Sequence, residues 1–274
     1  MEQRDSPLPA AEYYYIIKWR AAVNASLFLQ EMEMEFWIPL VLITFAGGVV
    51  QTVAGFGSGL VMMVVLPHLM SIPHAAAVTS ISGGFLSAFL IWKFRDKLRP
   101  KYVILTSIPY LIVSVVTLQF VQKINTRVMA ILFGAFLVIV GLYYLIWSHK
   151  ARLRVTPVTT FVCPVVSGCS SALFGIGGPL MSLLYLEKYE TREEYSTNLQ
   201  LLFLIAAVVN NVTRAANGII TADLLPASAA AIAAILIGER VGLLLAGKMK
   251  PDLLRKMVYL MVFISGVITI LNNA

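Results

Sequence analysis

From Trp37 to Leu271 the chain alternates long apolar runs with short polar segments. A hydrocarbon core of about 30 Å takes about 20 apolar residues of helix, so runs of this length in series predict membrane-crossing helices. They fall at 37–53, 57–70, 75–92, 102–121, 128–147, 157–174, 177–187, 195–213, 223–246 and 257–272. Two of them, 57–70 and 177–187, are too short to cross alone. Each follows directly on a longer run, and each junction is rich in glycine: residues 55–60 read GFGSGL and residues 175–180 read GIGGPL.

Laid against itself with a shift of 120 positions, the first half matches the second from Gln51 to about Leu90. The shift then drifts to about 125, where KINTRVMAIL faces KMKPDLLRKM. The chain reads as two repeats, 37–150 and 151–274, each a broken segment followed by three ordinary spans. If the chain turns back at each glycine cluster, the repeats enter the membrane inverted; if each broken segment crosses once, they are parallel. The inverted layout gathers fourteen Lys and Arg on one side against six on the other, with Arg214 counted in an outer loop; the parallel layout splits them twelve to eight. The excess of positive charge on one side favours inversion, with the C-terminus outside. The expected fold class is therefore all-α. It is a polytopic membrane protein of two inverted repeats, each with a glycine-broken, re-entrant-like helix pair plus three transmembrane helices.

Composition agrees: 59% of residues are hydrophobic and 13% charged, with mean hydropathy +0.82. Soluble domains carry about 25% charged residues. The net charge of +7 does not imply a nucleic-acid partner, because the basic residues lie between apolar spans rather than on one face. Cys163 and Cys169 fall on different faces of one helix, cannot bridge, and read as small apolar packers. His68, His74 and His149 sit at span edges and form no metal-ligand set, and no cofactor is expected. Residues 1–36 form a lightly charged leader whose stretch AEYYYIIKWRAAVNASLFLQ reads as an interfacial helix. Translation from Met32 or Met34 is the alternative. The expected location is the cell membrane, with multiple passes, and homo-oligomerisation stays open.

The glycine breaks carry the candidate chemistry. A helix starting at the glycines leaves its first N–H groups without intrahelical partners. Within hydrocarbon such groups survive only where something polar covers them. Those donors, with the positive end of the helix dipole, form an anion site, and glycine lets the backbone approach a ligand closely. Two breaks entering from opposite faces aim two such ends at one central point, the arrangement of many inverted-repeat transporters. The competing reading assigns the glycines to close helix packing.

The same residues resemble the TauE/SafE sulfite-exporter family. Its pattern of a small-residue entry, a glycine-rich turn, an apolar run, a second turn and an A-V-x-T-S element is similar to AGFGSGLVMMVVLPHLMSIPHAAAVTSI in the first half. The second half offers LFGIGGPLMSLLYLEKYETREEYSTNLQ, and GERVG at 238–242 resembles a later family element. The resemblance covers about 38–272. Ser58 and Pro179 stand where the family pattern has glycine, and Leu199-Gln200 replaces the Thr-Ser of 79–80. What the resemblance implies is transport of a small anion, most firmly as a class and less so as sulfite itself. The substrate-binding candidates are Gly55, Gly57, Ser58, Gly59, Thr79 and Ser80 in the first half. In the second half they are Gly175, Gly177, Gly178, Thr197, Gln200, Asn211 and Arg240.

Arg240 and Glu239 are the ionisable residues set well inside a span, and such residues default to functional candidates. Snorkelling of Arg240 to the interface is the bland alternative. Neighbours on a helix diverge by about 100°, so the two are not expected to pair. On span 195–213, Thr197, Gln200, Leu204, Ala207, Asn211 and Arg214 share one side, a hydrogen-bonding wall suited to an anion. Asn198, Asn210 and Thr213 point elsewhere, as glue between helices. Thr79, Ser80, Gly83 and Ser87 form a similar face, and helix packing accounts for either face equally well.

A monovalent anion leaves a negative interior downhill, so the expected activity is secondary export of small anions such as sulfite or organosulfonates. The alternative is a proton-coupled importer with Glu239 as its coupling group. An enzyme is not expected: FGSG lacks the leading glycine of serine intramembrane proteases, and no histidine stands in a partner span. The expected partners are a small anionic substrate and the lipid bilayer.

Overall fold

The computed structural model describes residues 34–147, 154–245 and 251–274. The leader expected over 1–36 therefore lies outside the described residues except for its last three positions. The chain is a multi-pass membrane protein. Among the described residues every regular element is helical, and eight helices are long and apolar enough to cross a membrane.

In chain order the helices are α1 (Met34–Ala54), α2 (Ser58–Leu69), α3 (Ile72–Lys93), α4 (Pro100–Leu118) and α5 (Thr126–Trp147). They continue as α6 (Pro157–Phe174), α7 (Gly178–Lys188), α8 (Arg192–Ala216), α9 (Leu225–Leu245) and α10 (Pro251–Asn273). These match the ten apolar runs, with α2 and α7 as the short pair. Local sequence sets the starts. At α6, Thr156 and Thr159 form a reciprocal capping box ahead of Pro157, and at α8 the Thr191 side chain accepts from the Glu194 N–H. Arg214 falls in the last turn of α8 rather than in a loop, which corrects its expected place.

Leu40–Ala274 form one unit in which helices of the two halves interleave. The principal pairings are α5 with α10, α4 with α6 and α8, and α3 with α8 and α9. The glycine contacts give their directions. Gly84 meets Ala207 while Ser87 bonds Gln200, so α3 and α8 run antiparallel. Gly134 meets Ile270 while Gly141 meets Phe263, so α5 and α10 do the same.

Two crossings bring backbone against backbone. A Cβ on Gly48 of α1 would lie 2.3 Å from the Ile235 carbonyl oxygen of α9, and one on Gly168 of α6 would lie 2.3 Å from the Tyr110 carbonyl oxygen of α4. Gly48 and Gly168 are 120 positions apart and Tyr110 and Ile235 are 125 apart, the two shifts of the sequence repeat. Small residues at such crossings let helices gain dispersion contact where lipid supplies no hydrophobic drive.

Gly168→Ala therefore forces α4 and α6 apart, a cost of about 1–3 kcal/mol. We expect a lowered thermal unfolding midpoint in detergent. Gly83→Ala, where a Cβ meets nothing within 4 Å, should keep the midpoint or raise it. Equal losses in both variants would contradict the packing described.

Candidate functional site

The two breaks share one local plan. At the first, the Gly55 N–H closes on the Gln51 carbonyl (2.8 Å) with Gly55 at φ 87°, and α2 starts after Gly57. At the second, the Gly175 N–H closes on the Ser171 carbonyl (2.9 Å) with Gly175 at φ 68°, and α7 starts after Gly177. A left-handed glycine ends each first helix, as in many helix C-caps. The residue between the glycines, Phe56 or Ile176, is buried and anchors the turn. Neither α2 nor α7 carries a side-chain cap on its N-terminus.

The chain reverses at the first break, because Ser58 and Met62 of α2 return beside Gly47 of α1, and Gly57 comes back against Val50. The two breaks then touch: a Cβ on Gly59 would lie 3.1 Å from the Gly175 carbonyl oxygen. Beside this contact is a cavity of about 70 Å³. Break one contributes Gly57, Ser58 and Gly59, and break two contributes Gly175, Gly177 and Gly178. From α3 come Thr79, Ser80, Gly83 and Ser87, all near the middle of that helix, and from α8 come Phe203, Ala206 and Ala207. Tyr110 of α4 closes a corner, its hydroxyl 2.0 Å from where a Gly177 Cβ would stand. The wall holds no carboxylate, lysine, arginine or histidine among the described residues. Its polar groups are hydroxyls and the Gln51 amide, and the Thr79 hydroxyl oxygen is buried without a hydrogen-bond partner.

A buried amide network holds the first break. Gln200 Nε2 donates to the Gly55 carbonyl (3.0 Å), while its Oε1 accepts from Gln51 Nε2 (2.9 Å) and Ser87 Oγ (2.8 Å). Gln51 Oε1 in turn accepts from the Ser58 N–H (3.3 Å) and the Ser58 hydroxyl. Gln200 thus positions the break from behind and does not line the cavity. Gly55 likewise stays behind the wall.

Thr197 and Asn211 also stand off the cavity. Thr197 is buried and Asn211 half-buried, each with a side-chain oxygen lacking a partner. Of the expected face of α8 only Ala207 reaches the cavity, beside Phe203 and Ala206, because Gln200 is taken up by Gln51 and Ser87. Asn198 bridges to Arg99 and Lys97, and Asn210 bridges Ser114 and Ser171, both as expected glue. Thr213 instead bonds the Val209 carbonyl of its own helix.

Arg240 departs furthest from expectation. Its side chain is 69% exposed, lies 4.6 Å from the Phe89 ring centroid and is not part of the cavity wall. Its long stem also lets Nε approach Glu239 Oε2 at 3.5 Å, so the two neighbours do pair. Glu239 itself is fully buried, and neither carboxylate oxygen has a hydrogen-bond partner. Ser87 belongs to the polar face expected on α3, whereas Gln51, Tyr110 and Ser171 are wall residues that the sequence reading does not reach. Gln51 and Ser171 share a signal: each is polar, lies four residues before the turn glycine, and is the other's counterpart at the 120 shift.

The sulfite exporter TauE/SafE family model matches residues 40–269, which include both breaks and the whole cavity wall. The chain belongs to that family. A protein of Cupriavidus necator described as "Probable sulfite/organosulfonate exporter TauE" is 25% identical over 236 residues, covering 83% of this chain and 92% of the relative. No solved structure matches the chain. Family membership makes this a membrane transporter.

Replacing Gln200 with Leu strands the Gly55 carbonyl, the Gln51 amide and the Ser87 hydroxyl, at about 1–3 kcal/mol for each buried group left unpaired. The unfolding midpoint of Gln200→Leu should fall well below that of Thr213→Val, which removes one bond within a helix. A smaller drop for Gln200→Leu would discount the network.

Proposed function

We propose that this protein exports small anions of the sulfite or organosulfonate type, bound in the cavity between the two breaks. One observation carries the reading: two helix starts converge on one cavity whose wall has hydroxyls and no carboxylate, that of α7 without a side-chain cap and that of α2 with only its Ser58 N–H taken, by Gln51. Each start presents N–H donors and about half a positive charge. A volume of about 70 Å³ is that of about two waters at about 30 Å³ each, which suits an anion the size of sulfite. Glycines and hydroxyls make up the contact set: Gly57, Ser58, Gly59, Thr79 and Ser80 with Gly175, Gly177 and Gly178.

The two halves are read as inverted repeats. Antiparallel packing of α3 on α8 and of α5 on α10, each pair occupying equivalent places in the repeat, supports this reading. So does the reversal of the chain at the first break. Alternating access then amounts to one hairpin pair rocking against the other around a fixed site. Across the cell membrane a potential of 100 mV, negative inside, is worth about 2.3 kcal/mol per charge, so a monovalent anion leaves by uniport without a coupling ion.

A second reading rests on Glu239. A fully buried carboxylate with no hydrogen-bond partner is the kind of group that carries a proton in a coupled importer. The cavity wall excludes it, however, which favours uniport.

Two variants test these readings in proteoliposomes with an imposed potential. Gly83→Val fills the cavity from a position where a Cβ meets open space; it should abolish sulfite efflux while leaving the unfolding midpoint near the wild-type value. Retained efflux would remove the cavity from the mechanism. Glu239→Gln should leave potential-driven efflux within about twofold of wild type, and its loss would establish the coupled reading instead.

A further inference from the structure

Arg214 is the most deeply buried cation described, 1% exposed in the last turn of α8. Its Nη2 donates to the Ser171 carbonyl (2.9 Å) and the Ala172 carbonyl (3.2 Å), near the C-terminal end of α6. Its Nη1 is buried with no hydrogen-bond partner, and no described carboxylate pairs with it. Burying a charge without a counter-charge is costly, so a cation kept in this state has a use for its field.

The use follows from the electrostatics of a broken helix. Each break sets a helix C-terminus, with about half a negative charge, next to a helix N-terminus with about half a positive one. Left alone, the two poles largely cancel where an anion would sit. At the second break Arg214 covers the negative pole of α6, leaving the positive pole of α7 unopposed. Ser171 belongs both to that pole and to the cavity wall, so the guanidinium stands one residue behind the wall. The first break has a counterpart. Arg192, at the opposite end of α8, donates through Nη2 to the Val53 carbonyl, and Gln200 donates to the Gly55 carbonyl. Arg192 is exposed, however, and water screens its charge. Arg214 is the buried member of the pair.

We propose that Arg214 is the fixed counter-charge that makes the cavity select anions, acting through the end of α6 without touching the substrate. This rests on the cavity being the anion site. It is a positioning role with an electrostatic signature. Coulomb energy scales with the charge of the ligand, so the loss on removing the cation multiplies for a dianion.

The test measures affinity for methanesulfonate, a monoanion, and sulfate, a dianion, with the purified full chain. Arg214→Gln keeps amide donors for the α6 carbonyls and loses the charge, whereas Arg214→Lys keeps the charge and loses the guanidinium fork. We expect Arg214→Gln to weaken methanesulfonate about tenfold and sulfate about a hundredfold, the square, while Arg214→Lys holds both within about threefold. Equal losses for the two anions in Arg214→Gln would reduce Arg214 to a helix cap and overturn the proposal. Should Arg214→Gln not fold, Arg214→Lys decides alone: retained affinity with a lowered unfolding midpoint supports the charge role, and affinity lost equally for both anions refutes it. Wild-type protein that binds neither anion would instead fail the cavity reading itself, and this proposal with it.

Discussion

A backbone amide or carbonyl in hydrocarbon must find a partner, and a break in a membrane helix exposes several at once. The core of this protein is arranged around that constraint. At both breaks the carbonyls that end the first helix receive donors: Gly55 from Gln200, Val53 from Arg192, and Ser171 and Ala172 from Arg214. The helix starts on the other side of each break border the cavity; neither N-cap glycine has a side chain to cap its helix, and Gln51 takes the Ser58 N–H of α2. The Ser58 N–H that starts α2 is thus covered by Gln51, and the carbonyls that end each first helix are covered from α8. One helix, running past both breaks, does the covering.

That division explains the composition of the wall. A lysine or carboxylate in it would have to be desolvated and would bind a partner of its own. Hydroxyls, glycines and an amide are neutral, and the field is supplied from behind. Phe56 and Ile176 fix the breaks on the opposite side; Phe56 lies among Tyr144 and Tyr259, which stack at 4.3 Å, and the Tyr144 hydroxyl donates to the Pro179 carbonyl. The glycine turns are thus held between an apolar anchor and a hydrogen-bonded brace.

Much of this was legible in the sequence, and the reasons differ by element. The ten helices follow from apolar run length, since membrane helices must be continuous and apolar. The breaks stood out because glycine pairs recur at equivalent positions of a repeat. Their convergence on one cavity followed from the expectation that exposed N–H groups need a common polar centre. The brace was not legible: Gln51 and Gln200 are 149 residues apart, and nothing local marks either as a partner of the other. The places of Arg240 and Arg214 were not legible either. Apolar run length puts Arg240 inside a span and Arg214 just past the end of one, yet Arg214 is the buried cation and Arg240 the exposed one. The difference is what packs against each, the carbonyls of α6 around Arg214 and the face of the half-buried Phe89 ring beside Arg240.

Thr79 and Ser80 line the cavity with hydroxyls that can swing their hydrogens toward or away from an occupant. A chamber with such a lining is as comfortable holding water as holding an oxyanion. Water admitted there can meet the Thr79 hydroxyl oxygen, which no protein group bonds, so the emptied chamber leaves no stranded dipole.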